Sequence, residues 1–323
     1  MKLKKIWSIL KTTALEFNED KVLRLSAALA YYSLFSIGPL LVIAAGVAGL
    51  VFGQDIVRQQ LEQEFQGMLG GESTKTVISM MSAKRQSTSL ITTVVGIVAL
   101  LFGAGGVFGQ LQDSLNTIWE VKAKRGAGFR AFIRARFVSF AMVLGTGFLL
   151  LVSLALTTFL SAATRSLGSS LPFSDSLLYG VNFVISFTVI SALFAMIFKY
   201  LPDVRIPLRK VLIGAIGTAF LFTVGKYLLA LYLRRESLAS AYGAAGSIIV
   251  ILLWVYYASL ILFFGAEFTQ VYTRQTGGKI TLPRYAVQVT EEDRAQQGIP
   301  TQRPSAHTRH PREAPSDSDG GSS

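Results

Sequence analysis

Residues 247–268 read SIIVILLWVYYASLILFFGAEF, and Glu267 is the one charged residue among them. A helix of this length rises about 33 Å, enough to cross the roughly 30 Å hydrocarbon core of a bilayer. An apolar run of this kind, with its single charge next to its end, predicts a transmembrane helix.

Five further apolar stretches are long enough to cross a membrane. Inside a bilayer each of them must satisfy its own backbone hydrogen bonds, and a helix does so. The sequence therefore predicts an all-α integral membrane protein with six transmembrane helices. The other five spans are expected at residues 26–52, 90–109, 137–160, 178–198 and 211–233.

The composition argues against a soluble globular protein. Of the 323 residues 51% are hydrophobic and 15% are charged, whereas soluble domains carry about 25% charged residues. The chain has no cysteine, which excludes disulfides, thiolate metal sites and thiol nucleophiles. Its two histidines, His307 and His310, lie in a polar tail.

Lysine and arginine are distributed very unevenly between the loops. Twenty-three of them fall in the N-terminal segment, the loops after the second and fourth spans and the C-terminal tail, against seven in the other three loops. Because basic loops stay on the cytoplasmic side, we expect both termini in the cytoplasm. The basic, polar start does not resemble a secretory signal, so the expected location is a bacterial cytoplasmic membrane.

The sequence predicts three parts along the chain. A cytoplasmic amphipathic helix is predicted over 1–25, and the transmembrane domain over 26–273. A cytoplasmic tail over 274–323 is predicted to be largely disordered, with disorder from about residue 291, because polar residues, Pro and Gly replace the apolar periodicity.

Two amphipathic segments are predicted outside the spans. At the N-terminus, apolar residues recur at helical spacing at positions 3, 6, 7, 10, 14 and 17. Such a helix either lies in the lipid headgroups or packs against the bundle, and the sequence leaves both interpretations open. Residues 54–89 predict an extracytoplasmic helical hairpin that turns at Gly70-Gly71 and caps the outer face.

Charged groups inside spans are costly and often functional. Lys226 is expected roughly 10 Å below the outer boundary, close in depth to Asn182, whereas Glu267 is expected at the cytoplasmic end of its span. A direct ion pair between Lys226 and Glu267 is therefore not predicted. Lys226 either extends towards the interface, makes a structural hydrogen bond or attracts an anionic headgroup.

Glu267 is expected to share its depth with several polar residues. These are Tyr31 and Tyr32, Gln110 and Arg136. Two interpretations stay open for this group. It either holds the helices together or lines a polar vestibule, open to the cytoplasm, that receives a headgroup, an ion or a proton.

Small residues indicate where helices approach closely. Gly49 and Gly53 have this spacing in the first span, and Gly105 and Gly109 in the second. Such faces permit a homo-oligomer and serve packing within one chain equally well. Pro39, midway along the first span, is expected to kink its helix.

The sequence shows no motif of a known catalytic site. Phosphate-binding loops, nucleophile elbows and zinc-binding helices are absent. The carboxylates Asp113, Glu120 and Asp203 are scattered along the chain. We therefore predict no enzyme activity, cofactor, metal or nucleic-acid partner, and membrane lipids with anionic headgroups as the expected partners.

Five motifs are distinctive in combination: the segment from Ala27 to Leu40, the run Leu115–Trp119, Tyr200-Leu201-Pro202-Asp203, the segment from Tyr242 to Tyr257, and Phe264-Gly265-Ala266-Glu267. Together they resemble the YihY/BrkB family of bacterial inner-membrane proteins. The resemblance covers residues of about 10–275. It implies a six-helix membrane protein with both termini in the cytoplasm.

The preferred function is a non-enzymatic envelope factor that moves or handles a lipid or another amphiphile. A structural or scaffold membrane protein is the alternative. Some family members carry a ribonuclease BN label, but this chain lacks the His-x-His-x-Asp-His metal motif of the genuine enzyme. A membrane-tethered ribonuclease is therefore disfavoured.

Overall fold

The structure, a computed structural model, describes residues 3–69, 71–82, 106–124, 175–235 and 244–296. These residues are mostly helical. The chain divides into two compact units, Met1–Gln288 and Val289–Ser323.

The described elements of the first unit follow in chain order. The helices are α1 (Leu3–Glu19), α2 (Val22–Phe52), α3 (Gln54–Leu69), α4 (Gly71–Ser82), α5 (106–118), α6 (Asp175–Tyr200), α7 (Leu208–Arg235) and α8 (Ala244–Gln275). Two short strands, β1 (Val121–Ala123) and β2 (Ala286–Gln288), complete it.

Three described helices are long and apolar enough to cross a membrane. They lie at Gly180–Tyr200, Leu208–Leu229 and Gly246–Gln275, at the predicted fourth, fifth and sixth spans. The first predicted span is also helical, because α2 runs without a break through Pro39. Of the spans predicted at 90–109 and 137–160, only residues 106–109 are described, and they are helical. The protein is thus a helical membrane protein, and the number six stays a prediction.

Helix α8 is the central element of the first unit. It packs against α1, α2 and α7, and α7 in turn packs against α6. Aromatic rings connect the last three helices, since Phe222 of α7 lies 5.7 Å from Phe194 and 6.3 Å from Trp254 between ring centroids. Residues of α2, α5, α6, α7 and α8 share one hydrophobic core.

Two glycine–threonine contacts hold α7 against α8. A Cβ atom at Gly214 would overlap the side chain of Thr269, and one at Gly265 would overlap that of Thr218. Each threonine hydroxyl donates to the carbonyl of the glycine four residues earlier, at 2.7 Å for Thr218 and 2.6 Å for Thr269. The hydroxyls are thus satisfied within their own helices, and the glycines let the two backbones approach closely.

Helix α1 presents two different surfaces. Ile9 and Thr13 are buried, and Phe17 packs edge-on against Phe264 of α8 at 5.9 Å. On the adjoining surface Trp7 is 71% exposed and Leu10 38% exposed. One surface of α1 therefore packs on the bundle, and most of the predicted apolar stripe is left available to lipid.

The hairpin predicted after the first span is present as α3 and α4. Helix α4 packs against α2 and α8, and Val77, which is fully buried, contacts the cluster of Val250 and Ile251 near the start of α8. The hairpin therefore lies beside the beginning of α8, and its capping of the outer face stays a prediction.

The structure differs from the prediction for the chain after residue 274. Strand β2 pairs antiparallel with β1, in the register Val121↔Gln288 and Ala123↔Ala286. The backbones of Arg205 and Thr281 form a further, isolated antiparallel β-bridge. The first unit consequently extends to Gln288. Strands of three residues carry too little periodicity to be recognised in a polar sequence.

The second unit contains one described helix, α9 (Glu291–Gln296), where disorder was predicted. Thr290 starts it with a capping box, because its N–H donates to Asp293 Oδ2 at 3.0 Å and its hydroxyl oxygen accepts from the Asp293 N–H at 3.3 Å. Residues 297–323, the rest of the predicted tail, lie outside the described residues.

Candidate functional site: the buried carboxyl of Glu267

Glu267 is completely buried in the first unit, with no exposed surface. It lies on α8, one turn after Phe263 and one turn before Gln270, both of which are also buried. Neither of its carboxylate oxygens accepts a hydrogen bond from a described residue. A buried carboxylate without a donor is costly, so this group requires an explanation.

The charged groups that act on Glu267 come from α1, from the turn after it and from α8 itself. They are Asp20, Glu16 and Arg274. Arg274 forms an ion pair with Glu16 through Nη2 and Oε1. The guanidinium is therefore engaged by another carboxylate.

A tight turn between α1 and α2 places Asp20 against α8. The Asp20 N–H donates to the Glu16 carbonyl at 2.8 Å, and the next residue, Lys21, has the left-handed conformation with φ 52°. Left-handed backbone is unfavourable for residues other than glycine. Asp20 is buried, with 4% of its surface exposed.

Other buried polar atoms on neighbouring elements also lack a partner among the described residues. They are Ser26 Oγ on α2, Trp119 Nε1 after α5 and Gln270 Oε1 on α8. The Gln270 amide connects two of these elements, because its Nε2 donates to the Ile118 carbonyl at 2.7 Å. The end of the bundle around Glu267 thus holds a set of dehydrated donors and acceptors.

The structure does not bring the predicted companions of Glu267 to it. Tyr31 and Tyr32 are 59% and 44% exposed, and they follow Asp20 by at least 11 residues, about 16 Å along the helix. Gln110 donates to Ser114 at 3.2 Å. Arg136 lies outside the described residues. Helix α2 begins at Val22, earlier than predicted, which moves the two tyrosines deeper along the bundle.

Lys226 is half-buried on α7, and its Nζ lies 5.6 Å from the centroid of the Tyr227 ring. Among the described residues no ion pair or hydrogen bond joins it to another side chain, Glu267 included. Phe222 of α7 packs at the level of Phe194 of α6. Lys226 lies four residues beyond Phe222, about 6 Å along its helix, and Asn182 lies twelve residues from Phe194, about 18 Å in the same direction. Asn182 is therefore about 12 Å further along the bundle than Lys226. The predicted proximity of Lys226 and Asn182 is therefore not found.

The predicted packing glycines lie in the first two predicted spans, whereas α7 and α8 carry glycines with close contacts in the structure. Gly53 has φ 87° and ends α2, where its N–H donates to the Gly49 carbonyl at 3.1 Å. A Cβ at Gly109 would meet nothing within 4 Å. Gly105 lies outside the described residues. Close approach occurs instead between α7 and α8, where Gly225 meets Tyr257.

A second polar cluster connects α5 to the loop between α6 and α7. Asp203 accepts hydrogen bonds from Asn116 Nδ2 at 3.0 Å and from Gln112 Nε2 at 3.4 Å. Partial burial, and next the negative charge of Asp203, raise the pKa of the Asp113 carboxyl above its ordinary value of 3.8. Two carboxylates that are scattered along the sequence are thus neighbours in the fold.

Metal binding finds no support in the described part of the chain. It contains no group of three or more His, Asp or Glu side chains arranged to hold an ion.

The long apolar helices and their buried polar end define a multi-pass helical membrane protein. The chain belongs to the family described as virulence factor BrkB, whose model matches residues 13–287. The match covers the whole described part of the first unit from Thr13 to Val287.

Named relatives agree with this assignment. A UPF0761 membrane protein of Pseudomonas aeruginosa (strain LESB58) is 28% identical over 257 residues, which are 77% of this chain and 59% of the relative. A UPF0761 membrane protein of Alcanivorax borkumensis is 28% identical over 260 residues, 78% of this chain and 57% of the relative. The chain therefore spans less than two thirds of the length of these relatives. No solved structure matches it.

Proposed function

We propose that this protein is a non-enzymatic factor of the bacterial cytoplasmic membrane that moves or handles an anionic lipid or a similar amphiphile. The observation that carries the proposal is the ammonium group of Lys226, which has no carboxylate partner among the described residues. An ammonium group at membrane depth needs a compensating negative charge or access to water.

The surface of α7 beside Lys226 suits an amphiphile. Phe220, Tyr227 and Leu228 are each at least 60% exposed, so this surface of a spanning helix is apolar and open. An anionic headgroup would compensate the ammonium charge, and its acyl chain would cover the apolar side chains. A free anion would satisfy the charge alone and leave the apolar surface without a role.

Reconstitution in liposomes tests the proposal. The purified protein should accelerate the transfer of a fluorescent phosphatidylglycerol between leaflets, measured by dithionite quenching, and should act less on a phosphatidylcholine probe. Lys226→Gln should slow the anionic probe severalfold. Lys279→Gln, which removes the same charge from an exposed position after α8, is the matched control and should transfer lipid like the wild type.

Lipid movement equal to that of empty vesicles would contradict transport and favour the structural alternative. That alternative has its own support in the close glycine–threonine packing of α7 on α8, which suits a rigid scaffold. Transfer that Lys226→Gln leaves unchanged would remove Lys226 from the mechanism.

A further inference from the structure

We propose that the exposed side of α1 is a binding site for anionic phospholipid at the membrane surface. The opposite side of the helix stays on the bundle, so α1 holds lipid headgroups next to α8. The site lies on a different helix from Lys226 and does not depend on the proposed lipid transport.

One side of α1 is held by the bundle. Ile9 is buried, the ring of Phe17 packs edge-on against Phe264 of α8, and Glu16 forms an ion pair with Arg274. Ile9, Glu16 and Phe17 have the i, i+7, i+8 spacing of a single helix face. These contacts fix how the helix is rotated, and therefore which residues it presents on its other side.

The exposed side of α1 begins with an apolar stripe. Ile6, Trp7 and Leu10 are 42%, 71% and 38% exposed, and their i, i+1, i+4 spacing places them next to one another on the helix surface. Exposed apolar surface of this kind marks a place that meets lipid or protein. Tryptophan is enriched where headgroups meet acyl chains, so the stripe suits the membrane interface.

Two lysines border the stripe and select the charge of the lipid. Lys4 precedes Trp7 by three residues and Lys11 follows it by four, so they lie one turn to either side of it. Both lysines are exposed, and neither has an ion pair or hydrogen bond among the described residues. The sequence has no acidic residue before Glu16. Lysines beside an apolar stripe fit an anionic bilayer surface, where phosphates meet the ammonium groups and acyl chains cover the stripe.

The position of α1 along the bundle favours a lipid surface over a protein partner. Gln275 Nε2 donates to Thr12 Oγ1 at 3.4 Å, and Arg274 pairs with Glu16. Both contacts lie in the last turn of α8, a helix long and apolar enough to cross the membrane. Helix α1 therefore lies where a spanning helix leaves the bilayer, at the level of the headgroups.

Tryptophan fluorescence of the full chain in lipid nanodiscs tests the proposal. The difference between the wild type and Trp7→Phe isolates the emission of Trp7, whose exposed position makes this replacement compatible with the fold. The nanodiscs contain equal amounts of phosphatidylglycerol and phosphatidylcholine, with bromine on one lipid or the other. Phosphatidylglycerol brominated near the top of its acyl chains should quench Trp7 severalfold more than phosphatidylcholine brominated at the same place. Bromine near the chain ends should quench it less.

Charge variants separate lipid selection from apolar contact. Lys4→Gln combined with Lys11→Gln should bring the quenching by the two brominated lipids to the same level. Lys124→Gln combined with Lys279→Gln removes the same charge from exposed positions after α5 and α8 and should keep the preference. High salt should weaken the preference of the wild type, since it screens charges at the surface.

Three results would overturn the proposal. The first is Trp7 emission that bromine leaves unchanged and aqueous iodide quenches, because the stripe would then face water or serve a protein partner. The second is equal quenching of the wild type by the two brominated lipids. The third is loss of the preference in the variant that lacks Lys124 and Lys279, which would assign it to overall charge. None of these readouts depends on lipid movement.

Discussion

Asn116 and Asp203 hold each other by two hydrogen bonds in opposite directions. The Asn116 Nδ2 donates to Asp203 Oδ2 at 3.0 Å, and the Asp203 backbone N–H donates to Asn116 Oδ1 at 2.8 Å. Both residues belong to sequence runs that carry the family resemblance, Leu115–Trp119 and Tyr200–Asp203. The pair fixes the end of α5 to the loop that joins two spanning helices.

Breaking this pair should destabilise the protein. Asn116→Ala removes the acceptor of a buried N–H and a donor to a buried carboxylate, which is expected to cost about 1–3 kcal/mol. Thermal unfolding in detergent, followed by size-exclusion chromatography, measures the loss. Thr117→Ala is the control, since its exposed hydroxyl bonds only within its own helix. Equal melting temperatures for the two variants would show that the hydrogen bonds between Asn116 and Asp203 do not stabilise the fold.

Close packing of α7 on α8 gives a second prediction. Gly214→Ala and Gly265→Ala each insert a methyl group into a facing threonine side chain, and overpacking of this kind typically costs about 1–3 kcal/mol. Gly217→Ala, on the same helix as Gly214, meets nothing within 4 Å and should be neutral or slightly stabilising. Melting temperatures of the three variants compare them directly. A loss as large for Gly217→Ala would mean that helix propensity, and not contact, sets the effect.

The carboxyl group of Asp113 should make the stability of the folded protein depend on pH. Its folded-state pKa is raised by partial burial and by Asp203, so the folded protein binds this proton more tightly than the unfolded chain. Stability from this group is therefore fully present at acid pH and is lost as pH rises through the folded pKa. Asp113→Asn should accordingly melt at a higher temperature than the wild type at neutral pH and lose that advantage in acid. Asp55→Asn, an exposed residue of α3, should show no such gain.

The strand pair formed by β1 and β2 can be tested by disulfide formation, because the chain contains no cysteine. Ala123 and Ala286 are directly opposite in the antiparallel register, where Cα atoms lie about 4.5–5.5 Å apart. Ala123→Cys combined with Ala286→Cys should cross-link under mild oxidation. Ala123→Cys combined with Val287→Cys places the thiols on opposite faces and should not. Cross-linking in the second pair but not the first would show a different register.

The sequence predicted the helices at the first, fourth, fifth and sixth spans and the hairpin after the first span, because long apolar runs and helical periodicity are local features. Counting residues along two helices also placed Lys226 and Glu267 at different depths, which stays a prediction. The influence of Asp20 on Glu267 was not predicted, because Asp20 lies in the turn after α1, where Lys21 has a left-handed conformation.

Long-range polar contacts were the least accessible to sequence reasoning. Asn116 and Asp203 are 87 residues apart, and neither residue belongs to a periodic pattern. The one available signal was that both lie in runs that resemble the family. The strands, at three residues each, were below the length at which alternation can be recognised.

From the distribution of basic residues we predict that the polar end around Glu267 faces the cytoplasm and that the α3–α4 hairpin faces outward. Single cysteines in this cysteine-free chain test it most directly. With a membrane-impermeant maleimide applied to intact spheroplasts, Gln63→Cys on α3 should be labelled at once. Lys279→Cys, just after α8, should be labelled only after the membrane is opened. Labelling of Lys279→Cys in intact spheroplasts, with Gln63→Cys protected, would contradict the account.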